Sequence, residues 1–278
     1  MKNEIRYLLK LSRPRFWLYL AGPAMIGLIL GSGSIEQLYS IENLLLLIYF
    51  LIPANIMLYG VNDYFDRDVD EDNPKKDDKE ERYRGSTFTD LSVGLSTALS
   101  IPVIILLPSE ASAAMMAFLA LSIGYSAPPL RFKARPFLDS LSNGLYIFPF
   151  VVSYAAVTSS LPALTAVAAG WLWAMAMHTF SAIPDIEPDR KAGVATTATF
   201  LGRKKTFVYC TAVWSLSGIV AGLWNFWTGL LFSVYPLICV IFYFSGLEDS
   251  EAYWYYPYIN AFLGMILSIA GLWVLVHG

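Results

Sequence analysis

Asn62, Asp63, Asp66 and Asp70 recur at helical spacing within the stretch NDYFDRDVDED, residues 62–72. If a helix runs through them, positions three and four apart share one face. Carboxylates held that close repel one another, and the C-terminal end of a helix is a poor place for anions. Local energetics therefore argue against the cluster unless something positive binds there. A solvated acidic loop accounts for residues 71–81, where lysines are interspersed, but accounts less well for the shared face. A second pair, Asp185 and Asp189, lies four apart in AIPDIEPDRKAG, residues 182–193. Pro184 and Pro188 interfere with regular helical bonding around it. Two oxygen-only donor sets suit Mg2+, a hard cation often bound through substrate phosphates. Zinc would normally bring His or Cys. Magnesium held this way would clamp a diphosphate and stabilise the charge that develops as diphosphate leaves.

The elements that must position these acids are apolar. Of the 278 residues, 56% are hydrophobic and 15% charged, and the mean hydropathy is +0.52. We identify nine runs long enough to cross a bilayer, at 15–32, 41–61, 87–107, 111–127, 138–156, 162–182, 205–223, 227–246 and 256–276. The first lacks a small-residue cleavage site and is expected to be a retained helix. With the N-terminus in the cytoplasm, all 19 Lys and Arg residues fall on the inner side, a strong positive-inside pattern. The expectation is an all-α integral membrane protein of nine transmembrane helices, multi-pass in the cell membrane. Its N-terminus and acidic loops are cytoplasmic and its C-terminus is outside. Both acidic sets then lie at cytoplasmic helix ends, the second and the sixth. Cys210 and Cys239 fall within expected helices, and His178 and His277 are too far apart and too few for a zinc site. A net charge of −3 without a broad basic face argues against nucleic-acid binding. The sequence offers no GxGxxG, Walker sequence or nucleophile elbow.

The chain resembles the UbiA family of intramembrane prenyltransferases. Asn62, Asp63, Asp66 and Asp70 match every fixed position of its NDxxDxxxD motif, and Asp185, Asp189, Arg190 and Gly193 match its DxxxD pair followed by Arg-x-x-Gly. YSAPPLRFK at 125–133 is similar to the family's Tyr…Pro-Leu…Lys loop, and SRPRFW at 12–17 to its Arg-Pro start of the first helix. The resemblance covers nearly the whole chain. It implies a single prenyltransferase domain over 1–278, with helices around a central cavity and cytoplasmic catalytic loops near 62–86, 128–137 and 183–204. It also implies a prenyl diphosphate donor bound with Mg2+. Asp63, Asp66 and Asp70 would hold one magnesium with Asn62 alongside or ligating, and Asp185 and Asp189 would hold another. Lys133 and Arg13 would contact diphosphate oxygens, as would Arg67 and Arg190, and Tyr125 would hydrogen-bond the leaving group. Each basic residue also has a simpler role as a positive-inside anchor, and Tyr125 as part of an interfacial aromatic belt.

Family members use many acceptors. HTFSAIPDIEPDRKAG at 178–193 and RPRFWLYLAGP at 13–23 resemble the lycopene elongase branch, which adds C5 units to the ends of carotenoids. That implies dimethylallyl diphosphate as donor and a hydrophobic lipid acceptor, an acyclic carotenoid such as lycopene, among membrane lipids. An aromatic quinone precursor or another lipid is the competing acceptor. An ion-coupled transporter is the competing class, but it would place its charged groups near the bilayer midplane at broken helices.

Overall fold

The computed structural model describes residues 2–66 and 85–278, and every regular element among them is helical. The expected residues Arg67 and Asp70, with most of the 62–86 loop, lie outside the described residues. Among the described residues, seven helical segments are long and apolar enough to cross a membrane: Ile41–Asp66, Thr87–Leu106, Leu138–Thr158, Leu164–Lys191, Arg203–Trp224, Phe226–Ser245 and Asp249–His277. The expected count of nine is therefore not reached on length and composition. The first expected run corresponds to Leu18–Gly31, which is apolar but only 14 residues long. It begins late because Arg13 turns the chain into the left-handed region and Pro14–Phe16 forms a separate 3-10 turn. The fourth corresponds to Ser109–Ser126, where Glu110 and four serines dilute the apolar residues. Large apolar side chains such as Ile105, Leu106, Trp227 and Phe244 remain exposed on these helices, as a lipid-facing surface requires. The protein is a multi-pass membrane protein.

The chain divides into two compact units. The first comprises Met1–Leu130, Phe148–Leu161 and Ser268–Gly278, and the second Arg131–Ile147 and Pro162–Leu267. In the first unit, helix Phe148–Thr158 packs on Leu18–Gly31 and on Ser109–Ser126. The backbones come close at Gly27, where an added Cβ would lie 2.4 Å from the Phe150 carbonyl oxygen. Small residues at such crossings are how helices associate where no hydrophobic force acts between them. The span 41–66 breaks at Ile52, ahead of Pro53, which has no N–H to donate. The buried Asn55 compensates, its amide donating to the carbonyls of Phe50 at 2.9 Å and Leu51 at 3.0 Å. Polar groups freed by a helix break in a bilayer need such an internal partner.

In the second unit, Leu164–Ser181 runs along Arg203–Trp224. Its core is aromatic: Trp214 stacks on Tyr235 and on Tyr256 at centroid distances of 5.7 and 5.2 Å. Phe180 meets Tyr256 edge-on at 4.7 Å. The buried Tyr235 hydroxyl donates to Asn260 Oδ1 at 2.8 Å, so its polar end is satisfied. Short helices begin at side-chain caps. Thr196 forms a capping box with Thr199, and the Asn225 side chain accepts from the Thr228 amide.

Candidate active site

The helix that opens at Pro53 continues through Asp66. Asn62, Asp63 and Asp66 therefore stand on one face, as their spacing requires. Gly60 lets this helix approach its neighbour: a Cβ there would lie 2.4 Å from Val93 Cγ2. Asp63 is 1% exposed, and a buried carboxylate needs charge or hydrogen-bond compensation. Arg13 supplies it, with Nη2 2.9 Å from Asp63 Oδ1. Asn62 adds a longer contact from its amide to the same oxygen at 3.4 Å. Ser126 in turn donates to Asn62 Oδ1 at 2.9 Å, fixing which end of the amide faces Asp63. The Arg13 guanidinium lies over the Tyr59 ring, 4.8 Å from its centroid, a favourable cation–π placement.

Arg13 itself has φ 52° and ψ 70°. A non-glycine residue in the left-handed region costs on the order of 1–3 kcal/mol and persists where its surroundings over-determine it. Here the ion pair and the aromatic face hold it. Tyr125 is the penultimate residue of helix Ser109–Ser126, one position before the serine that braces Asn62. Arg13, Asn62, Asp63, Asp66 and Tyr125 thus all belong to the first unit.

Lys133, Asp185, Asp189 and Arg190 belong to the second. Lys133 sits in the 3-10 turn Phe132–Ala134, preceded by Arg131 with φ 39°. Asp185 closes the 3-10 turn Ile183–Asp185 and occupies the N-cap position of helix Ile186–Lys191, yet makes no capping hydrogen bond. Around Pro184 the regular turn is replaced by a tighter one, whereas Pro188 lies inside the short helix Ile186–Lys191. Asp189 lies within the short helix, and its carbonyl accepts from the Val194 amide at 2.9 Å. Arg190 is turned to Glu187 at 3.0 Å and to the Thr199 carbonyl at 3.0 Å. It lines a cleft of about 400 Å³ together with Ile183, Arg203 and Asp249.

The donor chemistry fits magnesium. Amide and carboxylate oxygens of Asn62, Asp63 and Asp66 line one face of the 53–66 helix. Among the described residues no three His, Cys, Asp or Glu side chains converge into a metal cage. Mg2+ is commonly bound by one or two carboxylates completed by waters and substrate phosphates. Sequence reasoning missed Ser126 and Tyr59. Ser126 lies inside the quoted 125–133 stretch, but its hydrogen bond to Asn62 spans 64 positions and leaves no periodic signal.

The UbiA prenyltransferase family model matches residues 20–265. The chain is 51% identical over 273 residues to the lycopene elongase/hydratase of Halobacterium salinarum, covering 98% of this chain and 99% of the relative. It is 50% identical over 273 residues to the lycopene elongase/hydratase of Haloarcula japonica, covering 98% and 93%. Among solved structures, a UbiA homolog from Archaeoglobus fulgidus bound to GPP and Mg2+ superposes with a TM-score of 0.76 at 22% identity, covering 96% of this chain and 99% of that one. With the helical fold, Asn62, Asp63 and Asp66 on one helix and a family match across most of its length, the chain belongs to the UbiA prenyltransferase family and is a membrane-embedded prenyltransferase.

Proposed function

We propose that this enzyme transfers a C5 prenyl group from dimethylallyl diphosphate to the end of an acyclic carotenoid such as lycopene, releasing diphosphate. The observation that carries the reading is identity of about half the residues, over nearly the full length, to relatives named lycopene elongase/hydratase. The turn before Asp185 supports it. Ala182 and Ile183 are buried and apolar, and the Ser181 hydroxyl is spent on the His178 carbonyl at 2.7 Å. A carboxylate acceptor would lose its hydration there without a charged group in the turn to replace it. A hydrocarbon gains roughly 0.8 kcal/mol per buried CH2.

In this reading residues 1–278 act as one prenyltransferase domain, with the loops near 62–86, 128–137 and 183–204 in the cytoplasm and the C-terminus outside. Asn62, Asp63, Asp66 and Asp70 would hold one Mg2+, and Asp185 and Asp189 another. Bound there, Mg2+ supplies positive charge that makes diphosphate a good leaving group. Lys133 and Arg13 contact diphosphate oxygens, with Arg67 and Arg190 adding charge and Tyr125 a hydroxyl donor. These donors are strongest where the diphosphate gains charge as the allylic C–O bond breaks. The terminal double bond of the acceptor attacks the allylic carbon, and a proton leaves the resulting cation. Apolar helix faces keep bulk water from the cation. The donor is short because two long chains would compete for the same apolar interior.

Competition tests the reading. Purified enzyme in liposomes receives lycopene and 4-hydroxybenzoate together, with labelled dimethylallyl diphosphate and Mg2+. Label on the carotenoid alone is expected. Label on the benzoate alone refutes the acceptor and leaves the prenyltransferase chemistry in place.

A further inference from the structure

We propose that Asp139 is a positioning residue, a buried carboxylate that locks the Lys133 loop to the segment following Asp189. Asp139 lies in the first turn of helix Leu138–Ser142 and is 0% exposed. The Thr197 amide donates to its Oδ2 at 2.9 Å, and the Thr197 hydroxyl donates to its Oδ1. The same hydroxyl accepts from the Phe137 amide at 2.7 Å. His178 Nε2 stands 3.8 Å from Asp139 Oδ2. The neighbouring Thr179 hydroxyl donates to Ser140 Oγ at 2.8 Å, and Ser140 is paired with the Tyr209 hydroxyl at 2.9 Å. All these residues lie within the second unit.

A carboxylate stripped of water is costly unless its oxygens are occupied. A polar network whose members are all satisfied fixes one arrangement of the segments it joins. Three segments meet here. Phe137 ends the loop that carries Lys133, and that loop is drawn in by the bond from the Asp139 amide to the Arg135 carbonyl at 3.0 Å. Phe137 sits at φ 67°, a strained conformation that needs such surroundings. Thr197 opens the helix whose Thr199 carbonyl holds Arg190 at 3.0 Å. His178 lies on the helix that leads into Asp185. One carboxylate thus ties the lysine loop to both sides of the second acidic pair. Thr197 is the coupling element, because its hydroxyl bonds Asp139 and Phe137 at once.

The inference rests on the proposed role of Lys133 at the diphosphate. Its test uses the full-length enzyme in detergent, with kcat, donor KM, acceptor KM and thermal stability measured for Thr197→Val, Thr197→Ser, Lys133→Ala and the Thr197→Val/Lys133→Ala double variant. Thr197→Val keeps the shape and the amide bond but removes the hydroxyl. It should raise donor KM by about tenfold and leave acceptor KM within about twofold. Thr197→Ser should restore donor KM. Once Lys133 is absent, Thr197→Val should add less than about a twofold effect. A raised donor KM in Lys133→Ala with an unchanged one in Thr197→Val refutes the inference alone, as does full additivity in the double variant. An unchanged donor KM in Lys133→Ala refutes the diphosphate role of Lys133 and this inference with it.

Discussion

The Arg13–Asp63 pair gives the most quantitative prediction. At 2.9 Å, two unit charges in an effective dielectric of about 20 attract by roughly 6 kcal/mol before the cost of desolvation is subtracted. Removing one partner of a buried pair costs about 3–5 kcal/mol, because the other charge is left behind. The two ends are not equal. The Asp63 side chain is 2% exposed and that of Arg13 16%. Arg13→Gln therefore strands the better-buried charge and should cost about 3 kcal/mol. Asp63→Asn leaves a guanidinium that still touches water and the Tyr59 ring, and should cost about 2 kcal/mol. With both replaced, the position holds a neutral amide pair and no stranded charge. The double variant should lie within about 1 kcal/mol of the parent, a coupling of several kcal/mol that far exceeds the additivity error of about 0.5 kcal/mol. Thermal melts of all four proteins in detergent with EDTA read this out, with Arg13→Gln falling by on the order of 10 °C. Losses that simply add would refute the ion pair. A larger loss in Asp63→Asn than in Arg13→Gln would refute the burial argument.

Other perturbations probe the remaining parts of the site. Asp66→Asn and Asp189→Asn each remove one anionic ligand at nearly constant volume and should lower Mg2+-dependent turnover by about 100-fold, while membrane yield stays near normal. Asp77→Asn, in the mixed-charge stretch beyond the motif, should be nearly silent, and equal losses at Asp66 and Asp77 would mean bulk charge acts in place of coordination. Gly60→Ala places a methyl 2.4 Å from Val93 Cγ2 and should cost about 1–3 kcal/mol by overpacking. Adding Val93→Ala should recover most of that loss in a melt, and failure to do so would show that the helix is constrained elsewhere. Ser34→Cys should react with membrane-impermeant thiol reagents in intact cells, whereas Lys76→Cys should react only with permeant ones. The reverse pattern would invert the orientation.

How far the sequence carried depends on the range of each interaction. The 3.6-residue spacing of Asn62, Asp63 and Asp66 predicts a shared helical face, and helix Pro53–Asp66 supplies it. The Pro184 disruption was equally local, and it appears as the 3-10 turn ending at Asp185. The Arg13–Asp63 pair joins positions 50 apart. The motif residues pointed to each partner separately, but no periodicity pairs them. Two of the nine expected spans fall short on length or composition among the described residues. Arg13 and Pro14 delay the first helix, and serines thin the apolar content of Ser109–Ser126. Asp139 left no signal at all, because a single acid in an otherwise apolar run has no spacing partner. Its role emerges only once Thr197, 58 positions away, donates to it.

Prenyl transfer to an acyclic carotenoid is the reaction proposed for this enzyme. Its most direct test is the mass of the products formed when purified enzyme in liposomes receives lycopene, dimethylallyl diphosphate and Mg2+, with an EDTA control. A carotenoid heavier by one or more C5 units, absent in the control, is expected. Recovery of unaltered lycopene, from enzyme that prenylates an aromatic acceptor under the same conditions, would contradict it.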